Sequence, residues 1–477
     1  MYKSKPITDE AYLLLHEGSK TLAQIEGNGM RIDIDYLNST MIKIGKQIKN
    51  LTDNLKNNHI YKKWQRIYGG RTNLGSRSQL STILFKVMKL PYPKEIGTIG
   101  KSGNVQADEK VLETLDLQFA KDYLKIEKLK KARGTYLKGL LREATDGFIH
   151  PFFNLHLART YRSSSDHPNF QNVPVRNPET SKLIRQAFIS RPNHQIVEID
   201  FTGVEICGAA CYHKDPRMTS YIEDKTKDLH RDMAQQCFLL SAEEMKATDE
   251  IDAKRVKIIR YCGKNMFVFP EFYGDYYISI SKSLWDAITR MNLKTRDGKS
   301  LLIHLRKKGI TKLGNCDPQR KPMEGTFEKH IQDVENDFWN KQFKVYNEWK
   351  KKWYNNYLKT GGFNTLTGFH IEGDMKRNQV INYPIQGTSF HFLLWTLIQI
   401  NRQLKKHKMK SLIVGQIHDS IVADIHKDEL KDYLQITHQV MTIDIRKHWK
   451  WINVPITTEV EISPVDGNWY QKVKYEL

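Results

Sequence analysis

The chain has 477 residues, 39% of them hydrophobic and 10% aromatic, a composition that excludes a disordered chain and, at this length, implies two or more compact units. No run of eighteen apolar residues occurs and the N-terminus MYKSKPITDEAY lacks the apolar core of a signal peptide, so a soluble, cytoplasmic protein without membrane contact is expected. Lys and Arg outnumber Asp and Glu by 75 to 54, giving a formal charge of +21; an excess on this scale favours a polyanion, nucleic acid ahead of an anionic membrane, because each phosphate neutralised releases counterions.

In chain order, residues 8–62 read as helices, with apolar residues at helical spacing in AYLLLHEGSKTLAQIE and YLNSTMIKIGKQIKNL and a turn at Gly27–Gly29. RTNLGSRSQLSTILFKVMKL offers Ser76 or Ser78 as a helix N-cap, and LQFAKDYLKIEKLKKARGTYLKGLLRE reads as a second basic helix. Such helices suit a rod gripping a phosphate backbone, and equally a solvated bundle. Near His150 turn formers take over, and the β-branched stretch HQIVEID predicts a strand ending at Asp200. Helical patterning returns from Val204 to Phe369. The last hundred residues predict a helix, FHFLLWTLIQINRQL, and a hairpin-like pair, SLIVGQI and IVADI, joined through His418, Asp419 and Ser420. Strands in two pieces around a helical insertion predict an α+β fold with one discontinuous antiparallel sheet domain. The five cysteines are odd in number and include no CxxC pair, which favours reduced thiols over disulfides or zinc.

Three constellations carry chemistry. If the HQIVEID strand and the hairpin lie side by side, Asp200 and Asp419 project into one site; paired carboxylates repel unless cations intervene, and Mg²⁺ held by carboxylates and substrate phosphates is the usual solution. Two such ions would activate an attacking hydroxyl and stabilise a leaving oxygen in phosphoryl transfer, and each Asp alone would equally suit a strand end. On AKRVKIIRYCGKNMFVFPEFYG, Lys257, Arg260 and Lys264 share a helix face fit for a triphosphate, while Phe267, Phe269, Phe272 and Tyr273 offer surfaces for stacking or for the core. Arg162, Asn169, Gln171 and Asn172, in a turn-rich loop, are donors suited to sugar, phosphate and minor-groove acceptors.

Taken in order, these strings resemble family A DNA polymerases, of the DNA polymerase I type, over nearly the whole chain. DFTGVE (Asp200–Glu205) resembles the motif in which Asp binds metal and Glu closes the 2′ side of the incoming sugar. RYCGKNMFVFPEFYG resembles the fingers helix, with Arg260 and Lys264 on the triphosphate, Phe269 or else Phe267 facing the sugar, and Tyr273 near the nascent pair. QIHDSIVADI resembles the motif whose His-Asp, here His418 and Asp419, supplies the second metal ligand. DLHRDMA is similar to the segment whose His, here His230, reaches a phosphate, and NYPIQGT to the segment whose Asn382 and Gln386 touch template and primer. IEGNGMRID and VEISPVDGNWYQ are similar to the ends of the polymerase region.

The resemblance implies a right hand: N-terminal helices and thumb in residues 1–144, palm in 145–205 and 375–477, fingers in 206–374. It implies addition of dNTPs to a primer 3′ hydroxyl on template DNA, with two Mg²⁺ ions, Mn²⁺ being a substitute, by a monomer. Three departures stand out. The spacing from Lys264 to Tyr273 is one residue longer than usual, which demands a bulge or break near Pro270; Gly203 replaces a Gln; and Ser420 replaces a Glu. No paired-carboxylate motif precedes IEGNGMRID, so a proofreading exonuclease is expected to be absent, with a separate exonuclease or processivity protein as partner, as in a bacteriophage enzyme acting in host cytoplasm. The stretch Leu284–Lys359 resembles the family poorly. Two rivals are a single-subunit RNA polymerase, which should lack a blocking Glu205, and an inactive basic nucleic-acid-binding module.

Overall fold

The run His194–Phe201 forms the middle strand of a five-stranded antiparallel sheet in a computed structural model that describes residues 3–92, 105–175 and 177–476. The order across the sheet is Val473–Tyr475, Thr458–Ile462, His194–Phe201, Ser420–His426 and Leu412–Ile417. Along the middle strand Ile196, Val197, Ile199 and Phe201 are buried while Glu198 is half-buried and Asp200 exposed, so the two acids share one face by the period-two rule. Register is fixed: Asp200 pairs with Ser420 on one side and Glu459 on the other. A slip by one residue would turn both acids into the core. The mixed helical and antiparallel architecture is the α+β class expected from the sequence.

By contact the chain divides into one unit of residues 1–42, 132–226 and 342–477 and another of 43–131 and 227–341. In the first unit, the helix Arg377–Lys406 packs on Asp9–Asn28 and Val204–His213. It begins well before the predicted FHFLLWTLIQINRQL and runs through NYPIQGT, with Pro384 inside. Proline removes the amide that would bond the Val380 carbonyl; the Trp353 indole donates to that carbonyl instead, at 3.1 Å, so the helix continues. The predicted turn at Gly27–Gly29 reduces to Gly29, whose φ of 61° ends the first helix. A Cβ there would meet the His150 ring at 2.5 Å.

In the second unit, residues 43–131 bury Leu55, Ile60, Trp64, Leu80, Ile83, Phe119 and Tyr123 in one cluster. Ser76, not Ser78, is the N-cap there, accepting from Gln79 N at 3.3 Å. The basic helix Gln118–Lys131 continues beyond this unit into a π-helical turn, Ala132–Leu137, and the short helix Lys138–Glu143. Residues 227–341 pack the helix Leu229–Phe238 against Glu250–Gly263, and Tyr277–Arg290 against Phe327–Asp337. All five cysteines are buried free thiols. Among the described residues no helix is long and apolar enough to cross a membrane.

Close helix contact in the second unit depends on Gly263, because a Cβ there would stand 2.3 Å from the His230 carbonyl oxygen and 2.8 Å from Ala234 Cβ. Backbone cannot swing aside as a side chain can. Gly263→Ala is expected to destabilise the protein by about 1–3 kcal/mol, read as a lower urea midpoint at unchanged slope.

Candidate active site

The hairpin strands Leu412–Ile417 and Ser420–His426 are joined by two residues, His418 and Asp419. His418 takes φ 53°, the positive value that two-residue hairpins need, and the Gln416 side-chain amide donates to its carbonyl at 2.6 Å. Phe201 N donates to the Asp419 carbonyl at 3.3 Å. With Ser420 paired to Asp200, the two aspartates are therefore neighbours, although 219 positions apart in sequence.

Each carboxyl feels the other. Asp200 keeps one side open to solvent, yet the surrounding protein, then the charges of Asp419, Glu198 and Glu459, push its pKa up to about 8, against a smaller pull from Lys472. Asp419 is also raised, first by burial, with Glu205 adding to the rise while Arg162 and His418 oppose it. Arg162 Nη1 lies 3.7 Å from Glu205 Oε1, so Arg162, Glu205, His418 and Asp419 occupy one neighbourhood. Gly203, in a left-handed conformation with φ 61°, starts the helix whose first turn carries Glu205. Among the described residues no three acidic, His or Cys side chains converge as a ready-made metal cage. An open pair of oxygen donors, destabilised by its own charge, nonetheless fits Mg²⁺ that takes its remaining ligands from substrate.

Beneath the pair lies a network the sequence did not reveal. Glu198 accepts from Trp469 Nε1 at 2.8 Å, from Ser420 Oγ at 3.2 Å and from Lys472 Nζ, with Arg185 at 4.0 Å. Burial would raise its pKa, but the Lys472 charge, with Trp469 and Arg185, holds the carboxyl below its ordinary value. Ser420, where the family resemblance leads one to look for Glu, thus ties Asp419's turn to a buried ion pair. No local pattern signals contacts spanning more than two hundred residues.

The loop donors divide. Asn169 caps the 3-10 turn Phe170–Asn172 through Asn172 N at 3.1 Å, and Asn169 and Asn172 line a cleft of about 270 Å³ with Thr135, Tyr136 and Gly139. Gln171 instead donates its amide to Ser163 Oγ and to Gln416 Oε1, both at 2.8 Å, which connects it to the hairpin turn from inside the protein. Asn382 and Gln386, both half-buried, share one face of the Arg377–Lys406 helix.

In the second unit, Arg260 Nε bonds Asp228 at 2.5 Å and Arg260 Nη2 approaches His230 Nδ1 at 3.3 Å. Burial, then Arg260 and Lys264, push the His230 pKa down to about 4, leaving a neutral ring, and its Nε2 is buried with no hydrogen-bond partner. The extra residue between Lys264 and Tyr273 is absorbed before Pro270, not at it: Lys264–Val268 is a π-helical turn, closed by Phe269 N on the Lys264 carbonyl. A π-bulge adds one residue without ending the helix. It sends Phe267 into the core against Phe338, and Phe272 likewise packs on Phe338 and Trp339. Phe269 is left half-buried, 5.1 Å from Lys264 Nζ, with its ring centroid 5.9 Å from His230 and 6.2 Å from Tyr273. Of the four aromatics, then, Phe269 faces Lys264 with Tyr273 beside it, Phe267 is core, and Phe272 is half-buried against Phe338 and Trp339.

The POL domain of Pol1 from M. smegmatis, solved in complex with DNA primer-template and dNTP, shares the fold with a TM-score of 0.68 at 21% identity, over 96% of this chain and 70% of that one. The model of DNA polymerase family A matches residues 41–266 and 342–471, and the chain belongs to that family. It is 24% identical over 463 residues to DNA polymerase I of Chloroflexus aurantiacus, 94% of this chain and 42% of that protein. Against DNA polymerase I of Bacillus subtilis the identity is 25% over 462 residues, 94% of this chain and 44% of that one. The thermostable DNA polymerase I of Thermus thermophilus is 29% identical over 247 residues, 51% of this chain and 28% of the relative. The chain spans less than half the length of these curated relatives.

A carboxyl raised in the folded state favours folding while protonated and loses that advantage as pH climbs from its unfolded value through its folded one. For Asp200 the window runs from about 4, the ordinary carboxylate value, to about 8. Asp200→Asn should therefore raise the melting temperature in EDTA at pH 8 and change it little at pH 4. Equal shifts at both pH values would show that the pair is not electrostatically strained.

Proposed function

We propose that the chain is a template-directed DNA polymerase, extending a primer 3′ hydroxyl with dNTPs on template DNA. The observation that carries this reading is the register that makes Asp200 and Asp419 neighbours. Family membership supports the reaction class.

The carboxylates of Asp200 and Asp419 would hold divalent cations, Mg²⁺ by their oxygen-only chemistry. When bound, such ions supply Lewis-acid chemistry, lowering the pKa of the primer hydroxyl and neutralising charge on the leaving pyrophosphate oxygen. Arg260 and Lys264 take the triphosphate of the incoming nucleotide, and the neutral His230 offers its unpartnered Nε2–H to a phosphate oxygen. Phe269 and Tyr273 present flat faces to sugar and base. Glu205, held by Arg162, fills the space a 2′ hydroxyl needs and so selects deoxynucleotides. Asn169, Asn172, Asn382, Gln386 and His418 contact primer and template without reading sequence. Gln171 acts one step back, steadying Gln416 and the His418 turn. In this reading residues 1–144 include the thumb, 145–205 and 375–477 the palm and 206–374 the fingers.

Primer extension with Mg²⁺ tests the proposal. Asp200→Asn and Asp419→Asn should each lower the rate by about 10³-fold or more, the scale on which loss of a group stabilising transition-state charge registers. Full activity in either variant overturns the metal assignment, and wild-type preference for rNTPs overturns the DNA assignment. Glu205→Ala should leave dNTP addition within about tenfold of wild type, one decade being about 1.4 kcal/mol, while raising rNTP incorporation. Unchanged discrimination would remove Glu205 from that role.

A further inference from the structure

Residues 267–341 lie between the two blocks that the family model matches, and they are folded. Leu293, Leu301, Leu305, Ile310, Leu313 and Phe327 are buried. Backbone hydrogen bonds tie the pieces together: Leu301 N to Leu293 O at 3.0 Å, Thr311 N to Gly325 O at 3.0 Å, Phe327 N to Lys312 O at 2.9 Å and Glu328 N to Leu313 O at 2.7 Å. Upon this frame residues 291–326 carry nine Lys or Arg against three Asp or Glu. More than a quarter of the chain's net charge sits in under a tenth of its length.

Three of those cations are neutralised within the protein: Arg296 by Asp252, Lys299 by Asp297 and Arg320 by Asp317. Lys294, Arg306, Lys307, Lys308, Lys312 and Lys321 are exposed, and none of the six has an ion-pair partner among the described residues. A helix C-terminus favours cations, which accounts for Arg306 and Lys307 at the end of Leu301–Lys307. It does not account for Lys294, Lys312 and Lys321, which stand on loops. Lys307 also joins Arg296, Lys299 and His304 around a concavity of about 520 Å³ that Glu244, Thr295 and Asp297 complete. On the same helix Ile303, 47% exposed, shares a face with Arg306 and Lys307, so an apolar contact lies beside the charges. Repulsion among unpaired cations opposes their clustering unless a polyanion neutralises them.

We propose that this lobe is a second nucleic-acid contact, which binds the phosphodiester backbone of DNA through Arg306, Lys307, Lys308 and Lys312 apart from the contacts of the family-matched blocks. It rests on the polymerase reading above. Backbone phosphates of a single strand or of a duplex present the same chemistry to these residues, and the substrate decides between them.

The test uses the full chain and the variant Arg306→Glu/Lys307→Glu/Lys308→Glu on three labelled primer-templates: one short, one with a long single-stranded template extension and one with a long duplex. Losing three phosphate contacts should raise Kd about tenfold on a long substrate and flatten the log–log salt dependence by about 2 to 3. Extension of the short substrate at saturation should be unchanged. Loss confined to the long single strand assigns the lobe to template, and loss confined to the long duplex assigns it to double-stranded DNA. The uncharged variant Arg306→Gln/Lys307→Gln/Lys308→Gln, with a wild-type melting temperature as its fold control, should show the same loss at smaller size. Equal affinity of wild type and variants for all three substrates, or equal loss on all three, overturns the inference while leaving the polymerase reading intact. A wild-type protein that neither binds nor extends DNA overturns both.

Discussion

Electrostatic repulsion between Asp200 and Asp419 is the constraint around which the first unit is arranged. Two carboxylates at neighbouring positions of a sheet are unfavourable at neutral pH; here burial and then the Asp419 charge raise Asp200, and burial with the Glu205 charge raises Asp419. Strand register imposes the proximity, since Asp200 is paired to the residue after Asp419 and a one-residue slip would bury Glu198 and Asp200 together. The rest of the sheet supplies the stability that this pair opposes. Ile196, Ile199, Ile421 and Val422 are buried almost completely, and burial of such side chains contributes about 1.5–3 kcal/mol each.

Beneath the pair, Glu198 is a third acid on the same face; its charge adds to the rise at Asp200, and its own partners keep it ionised. Lys472, Arg185 and the Trp469 indole surround it, and Arg185 also stacks on Trp469 at 4.0 Å. A buried carboxylate without these partners would have to take up a proton. With them it remains ionised and accepts from Ser420 Oγ, which anchors the residue next to Asp419. Ser420 in place of an acid is consistent with this arrangement: another carboxylate at that position would face Glu198 as well as Asp200.

Much of this was legible in the sequence. β-Branched residues located the Asp200 strand and the hairpin, and the connection read as His418, Asp419 and Ser420 placed Asp419 at a turn, which the structure narrows to His418 and Asp419. Cation spacing located the helix carrying Arg260 and Lys264. What remained hidden depended on distant partners. Pro384 reads as a helix breaker, and nothing local shows that Trp353 will take the freed carbonyl. Gln171 reads as an exposed donor, and its partner Gln416 is 245 residues away. Phe267 and Phe269 are two apart and look interchangeable. A π-turn, invisible to a 3.6-residue periodicity, sends one to the core and leaves the other beside Lys264.

That π-turn also explains how one additional residue is accommodated without disturbing the cations before it. An insertion in a regular α-helix rotates all that follows by about 100°, which would carry Phe269 and Tyr273 away from Lys264. Widening a single turn takes up the residue locally. Pro270 follows at once; lacking an amide hydrogen, it makes no demand on the carbonyl four residues back, so the helix can resume as Phe269–Tyr273 after the wide turn. Gly263 sits on the other side of Lys264, pressed against the His230 carbonyl, and fixes the helix there. Lys264 is thus held between a close helix contact and a wide turn, with His230, Arg260 and Phe269 around it, and it is this local geometry, rather than helical spacing, that gathers the cationic site.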